Sequence, residues 1–347
     1  MIMIPLKMLT SRPPSNSSSA RPVPRRRRAC LSLLLLLAGP TLHAAPAAPV
    51  PAPLPVVASF SILGDLVKQV GGDRVAVEVL VGPGSDAHVV QPTPAQARSV
   101  ASAQLIFSNG LGFEGWMARF LKAAGFKGRH VVLAEGLGGQ GAPTASKDRG
   151  HEASPDPRRP SGHSHAHAHA HDVDPHVWQD VRQVLKFTRR IADALCEVDA
   201  DGCSGYRQRS RAYAERLDAL HREIVAGWAA IPAARRKVIT SHEAFGHYGA
   251  AYGVTFLAPL GVSTQAEPSA QGVAALVRQI RREGVRALFV ENVTDPRLIE
   301  QIARETGLQT SGSLYSDSLT DAQGPAPTYE TMMRVNTQRL LQAVGRP

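Results

Sequence analysis

The sequence predicts an α/β protein of two lobes, each a parallel sheet flanked by helices, joined by one long backbone helix. Three observations carry that reading. From Val56 onward, short apolar runs alternate with stretches of helical periodicity, the pattern of parallel strands with both faces covered. The alternation stops midway for two consecutive helical segments and then resumes, so the chain has two halves of similar design. The longer of those two segments runs about 26 residues, roughly 39 Å at 1.5 Å per residue, which suits a rigid connector.

Taken in order, "VVASF" reads as a buried strand, "ILGDLVKQV" as a helix and "RVAVEVLVG" as a second strand. "PTPAQARSVASA" has a strong helix start, with Thr93 as N-cap, Pro94 in the first position and Gln96 closing a capping box. "QLIFSNG" is a strand, "FEGWMARFLKAA" a helix and "HVVLAE" a strand. Residues 136–175 break the pattern: they are rich in Gly, Pro, Ser, His and charge and read as an inserted flexible segment. Two helices follow, "VWQDVRQVLKFTRRIADAL" and "YRQRSRAYAERLDALHREIVAGWAAI". Strands "KVITSH", "VTFLAP", "ALFVEN" and "TSGSLYSD" then alternate with helices "EAFGHYGAAYG", "AQGVAALVRQIRRE", "PRLIEQIARETG" and "TYETMMRVNTQRLLQAV". The expected organisation is a first lobe over residues 55–202, a connecting helix over 203–231 and a second lobe over 232–347, with a ligand site in the cleft between the lobes.

The N-terminus reads as an export signal. Arg25, Arg26, Arg27 and Arg28 form a positive region, "ACLSLLLLLAG" an apolar stretch too short for a stable span, and "LHA-AP" a small-residue cleavage site after Ala44. Residues 1–44 are therefore expected to be removed on export to the periplasm, leaving the Pro/Ala linker 45–54 at the new end. An uncleaved membrane anchor is the alternative, and initiation at Met3, Met8 or further on stays open. The formal charge of +10 is misleading: the seven basic residues within 1–44 account for most of it, and removing them leaves 32 basic against 29 acidic residues. With no basic stripe interleaved with aromatics, nucleic acid is not an expected partner. Of three cysteines, Cys30 precedes the apolar stretch, whereas Cys196 and Cys203 flank a short loop where an oxidising compartment favours a disulfide. Two free thiols are the alternative.

Ligands of open parallel sheets bind beyond the carboxyl ends of the strands. Four metal-ligating side chains are predicted at those ends: His88, His176, His242 and Asp317. Three imidazoles and a carboxylate suit Zn²⁺, and Mn²⁺ accepts the same set. Glu243 and Glu291 also end strands; we expect them to hydrogen-bond in the loops or to support the ligating imidazoles. His247 is expected at the surface or behind the ligands.

"GPGSDAHVVQPTP", "NGLGFEGW", "DPHVWQD", "SHEAFGHYGAAYG", "FVENVTDPRLIEQIARETG" and "LYSDSL" resemble the motifs of the periplasmic solute-binding proteins of zinc and manganese ABC importers, in order over roughly residues 55–345. The resemblance implies His88, His176, His242 and Asp317 as the four ligands, two lobes on a backbone helix with limited hinge motion, and a membrane permease as partner. Ala87 and Val89 depart from the family's first motif, which bears on the shape of that loop. The inserted segment carries His163, His165, His167, His169 and His171, alternating with small residues, and also His151. Histidine-rich insertions here resemble those of the zinc members. The run reads as a flexible arm that gathers metal, to which Asp156, Asp172 and Asp174 add oxygen donors; a solvated linker is the alternative.

The expected function is an exported zinc receptor, monomeric, that delivers Zn²⁺ to an ABC importer and catalyses no reaction, with a manganese receptor as the alternative. A periplasmic metallohydrolase, with Glu243 or Glu291 as base, is the rival from another class, but the chain has no HExxH pattern. A zinc buffer without a transporter is a third reading. Deleting residues 150–172 is expected to lower the number of zinc ions bound per chain while leaving one tight site; an unchanged stoichiometry in a metal titration would remove the gathering role.

Overall fold

The computed structural model describes residues 52–137, 173–265 and 268–345. The signal segment with its cleavage site, nearly all of the linker, and all six histidines of the insertion lie outside the described residues. No helix among the described residues is long and apolar enough to cross a membrane.

The first half contains β1 (Leu54–Phe60), α1 (Ser61–Gly71), β2 (Val75–Val81), α2 (Pro94–Ser102), β3 (Leu105–Ser108), α3 (Met117–Ala123) and β4 (Arg129–Val132). Its four strands are parallel in the order β2-β1-β3-β4. Apolar side chains at Ile62, Leu63, Leu66, Val67 and Val70 give α1 one buried face. Gly64 lets that face lie close on the sheet, because a Cβ there would stand 2.4 Å from Val79 Cγ2. The capping box of α2 forms as the sequence predicts: Gln96 N donates to the Thr93 hydroxyl, and Thr93 N donates to the Gln96 side chain. The α3 helix starts later than its apolar pattern suggests. Gly110, Leu111 and Gly112 all have left-handed φ (90°, 55° and 83°), which forces a tight loop before the helix.

Two helices follow, α4 (Val181–Val198) and α5 (Cys203–Ala229), and a Cys196–Cys203 disulfide closes the turn between them. The long α5 buries Tyr206, Ser210, Tyr213, Leu217, Leu220, Ile224 and Trp228, a seam at steps of three or four residues. It packs on α4 and α1 in the first half and on α6 and α9 in the second. Arg209 reaches from α5 to the carbonyl oxygens of Val70 and Gly71, satisfying the C-terminal end of α1.

The second half contains β5 (Lys237–Ile239), α6 (Gly246–Tyr252), β6 (Thr255–Leu257), α7 (Ala270–Glu283), β7 (Ala287–Leu288), β8 (Val290–Glu291), α8 (Arg297–Thr306), β9 (Ser313–Leu314) and α9 (Tyr329–Gly345). β6-β5-β7 form one parallel sheet and β8-β9 another. The segment expected as one strand, "ALFVEN", is divided at the buried Phe289, whose N–H still bonds to Ile239 O at 2.9 Å. With β7 and β8 taken as one interrupted strand, both halves have the same strand order.

Apolar packing does not respect the two halves. One continuous cluster joins the first sheet, α4 and α5 to Phe245, Tyr248, Phe289, Tyr315, Tyr329 and Met333 of the second half. A smaller cluster lies under α7 and α8 on the outer face of the second sheet. At the junction, Trp228 Nε1 donates to Tyr248 Oη at 2.9 Å, and that hydroxyl lies 2.8 Å from Thr337 Oγ1, tying α5, α6 and α9 together. Tyr248→Phe leaves the buried indole N–H without its acceptor and is expected to lower stability by about 1–3 kcal/mol in denaturant unfolding.

Candidate metal centre

Two short motifs of the same form present the first two histidines. In Asp86-Ala87-His88, the His88 N–H donates to Asp86 Oδ1 at 2.8 Å; in Asp174-Pro175-His176, the His176 N–H donates to Asp174 Oδ1 at 2.9 Å. Each aspartate folds its own loop back onto the histidine two residues later. Asp174 Oδ1 also lies 2.7 Å from His176 Nδ1, which places the proton on that nitrogen and turns the Nε2 lone pair inward. Asn109 Nδ2 donates to Pro175 O at 2.9 Å and fixes the second motif against the loop after β3.

His242 follows β5 and pairs with Leu260 in an isolated parallel bridge. Glu291, at the end of β8, accepts from Ser241 N at 2.7 Å and from His242 N at 3.0 Å through Oε1, and its Oε2 lies 2.7 Å from His242 Nδ1. The expected support of an imidazole by Glu291 is therefore present. Asp317 lies three residues beyond β9, in a loop whose neighbours Ser316 and Ser318 are also buried.

The four side chains converge. His176, His242 and Asp317 are fully buried and His88 is 4% exposed. One donor atom from each lies within 4.8 Å of all the others. From the carboxylate of Asp317 to Nε2, the distances are 3.2 Å for His242, 3.5 Å for His176 and 3.6 Å for His88. Donors about 2.1 Å from one ion in a tetrahedron stand roughly 3.4 Å apart, so the group has the size of a coordination shell. All three Nε2 atoms and both Asp317 oxygens lack a hydrogen-bond partner of ordinary geometry. Such a cluster is costly to bury unless a cation satisfies it.

Electrostatics point the same way. Burial opposes ionisation of Asp317, but the imidazoles of His242 and His176 outweigh it and hold the carboxyl well below its usual range. Burial also disfavours a charged His242, yet Glu291 and Asp317 override it and raise its pKa well above the usual value. A proton on His242 thus competes with a cation for the centre. Asp174 is likewise held low, with His176 overcoming its burial.

Other side chains sort themselves around this group. His247 Nε2 bonds to Asp174 O at 3.0 Å, behind His176, as expected of a residue outside the shell. Asp174 is not an added oxygen donor beside the histidine repeat: it is engaged by the His176 backbone and ring. Glu243 is half-buried, and burial raises its pKa. Sequence reasoning missed Phe113, whose ring centroid lies 4.5 Å from that of His88 and 5.7 Å from that of His176. It also missed Glu114, a buried carboxylate that accepts from Ser59 Oγ at 2.6 Å, Asn109 N at 2.8 Å and Gly110 N at 3.0 Å. Burial pushes the Glu114 pKa up against those bonds. The glycine pair in "NGLGFEGW" was the available signal for this pinned loop.

A family model described as the periplasmic zinc-uptake complex component A matches residues 56–343. Among curated proteins, the chain is 29% identical over 293 residues to the iron-binding protein YfeA of Yersinia pestis, covering 84% of this chain and 86% of that one. It is 27% identical over 307 residues to the metal ABC transporter substrate-binding lipoprotein SsaB of Streptococcus sanguinis, covering 84% and 90%. The manganese-binding lipoprotein MntA of Halalkalibacterium halodurans is 26% identical over 293 residues, covering 84% and 89%. Among solved structures, the periplasmic zinc binding protein TroA from Treponema pallidum superposes with a TM-score of 0.72 at 27% identity, covering 85% of this chain and 100% of that one.

Carboxylates behind ligating imidazoles typically change metal affinity by about 10–100-fold. Glu291→Ala is expected to weaken metal binding by that factor, read by titration against a competing chelator.

Proposed function

We propose, from the premise that the chain belongs to the family of periplasmic component A of zinc-uptake complexes, that it is an exported receptor which captures Zn²⁺ and hands it to an ABC importer. Divalent-metal binding for ABC transport is the shared property of the family; zinc as the cargo of this chain is our reading. The observation that carries it is the convergence of four buried, unpartnered donor atoms from His88, His176, His242 and Asp317. We assign these as the ligands, with Glu291 and Asp174 orienting two of the rings. Three imidazoles and one carboxylate form a closed four-coordinate shell that suits Zn²⁺.

Capture is ligand exchange: water leaves the ion as imidazole nitrogens and the carboxylate enter. A shell filled by four protein donors keeps no position for an activated water, so the site suits a carrier and not a hydrolase. In this reading the lobes are residues 55–202 and 232–347, bridged by the helix within 203–231. The mature chain starts after Ala44, works in the periplasm as a monomer and docks on an inner-membrane permease. A manganese receptor is the second reading, favoured by both Asp317 oxygens facing the centre, since bidentate coordination raises the oxygen count Mn²⁺ prefers.

Competitive titration of the metal-free mature protein with Zn²⁺ and Mn²⁺ is expected to show one tight site that prefers Zn²⁺; a preference for Mn²⁺ would select the second reading. His242→Ala is expected to destroy that site and His247→Ala to retain it. A deletion strain is expected to lose zinc uptake under scarcity, which a mere buffer would not cause.

A further inference from the structure

Asp317 belongs to the second half by sequence, yet its loop is fastened to the first. Ser316 O accepts from Trp178 Nε1 at 2.9 Å and from Gln179 Nε2 at 2.8 Å. Gly84 N donates to Ser318 Oγ at 2.7 Å, and Leu319 N donates to Ser61 Oγ at 3.0 Å. His88, His176 and Asp317 are thus held in one hydrogen-bonded frame. His242 is anchored within the second half, through Glu291, the bridge to Leu260 and the bond from Glu243 N to Gly261 O. The His242 side is also tied to that frame, since Asn292 Nδ2 donates to Ser318 O at 3.1 Å and His247 Nε2 bonds to Asp174 O at 3.0 Å, so separating His242 from the other donors requires those contacts to yield as well.

The loop after β6, which runs beside His242, also reaches the loop of His88. Thr264 Oγ1 donates to Asp86 Oδ2 at 2.6 Å, and Gln265 Nε2 donates to His88 O at 2.6 Å. Asp86 Oδ1 accepts from His88 N. The His88 backbone is therefore gripped at its carbonyl by Gln265 and at its N–H by Asp86, which Thr264 in turn holds. Thr264 is half-buried and Gln265 exposed, so neither belongs to the apolar core. Their bonds run from the segment beside His242 to the loop of a ligand in the opposite frame, where any opening of the cleft must break them.

We propose that Thr264 and Gln265 are positioning residues that clasp the His88 loop across the cleft and set the rate at which the cation leaves. This rests on the receptor reading of the four-ligand site. A net hydrogen bond of about 1 kcal/mol corresponds to about fivefold in rate, so each contact slows release by that factor. Entry into the opened cleft precedes the clasp, so association is unaffected.

The test is stopped-flow release of Zn²⁺ from the loaded mature protein into excess chromogenic chelator. The phase to follow is the slow one that His242→Ala removes. Thr264→Val and Gln265→Leu are each expected to accelerate it about fivefold, and the double variant by a few tens of fold, with unchanged association rate. Thr264→Ser keeps the hydroxyl and is expected to release at the parent rate. A double variant that releases like the parent overturns the clasp, as does a Thr264→Ser variant as fast as Thr264→Val, or a loss of affinity confined to association. If the parent shows no slow phase that His242→Ala removes, the receptor reading itself has failed.

Discussion

The rest of this structure depends on one buried group of like-minded atoms: three imidazole nitrogens and a carboxylate, turned toward each other and away from every ordinary partner. In a protein interior such atoms repel, or compete for the same proton, and each loses the water that would satisfy it. They stay in place because each is held from behind. Glu291 grips His242 by both backbone and ring, Asp174 does the same for His176, and Asp86 folds the His88 loop onto itself. The carboxylates behind the rings also add negative charge, so a divalent cation gains from the surroundings as well as from its direct donors.

The scaffold turns that local arrangement into a shared site. Both halves use parallel strands in the same order, and their carboxyl ends supply the loops that meet at the centre. The cluster of apolar side chains that runs through both halves, with the α5 seam along it, makes large independent motion of the first sheet and α9 unfavourable. The outer layer of α7 and α8 packs on its own smaller core, apart from that continuous cluster. A carrier needs a centre rigid enough to select an ion and a boundary that can open.

The proposed carrier reading accounts for how the carboxylates around the centre are used. Hydrolytic metal chemistry needs an open coordination position and a base beside it. Here the carboxylates nearest the rings are already engaged. Glu291 Oε1 accepts from Ser241 N and His242 N, and Asp174 Oδ1 accepts from His176 N, so both carboxylates serve to position the loops that carry the rings. His247 is occupied with the Asp174 backbone.

Much of this was legible in the residues themselves, because strand–helix alternation, the Thr93–Gln96 capping box and the length of α5 depend on local periodicity and local hydrogen bonding. Strand ends could be read off that periodicity, which is why His88, His176, His242 and Asp317 stood out as candidates before any coordinates. Contacts between distant segments could not be read that way. That Glu291 backs His242 and that Glu114 pins the loop bearing Phe113 follow from residues brought together by folding across 5 to 55 positions. The division of the third strand at Phe289 and the fastening of the Asp317 loop to Trp178 and Ser61 are likewise decisions of packing. Sequence alone determined which side chains could bind a metal and at which ends of which strands they sit; tertiary structure decided which of them point inward, because only the packed neighbours fix a ring's orientation and remove its water.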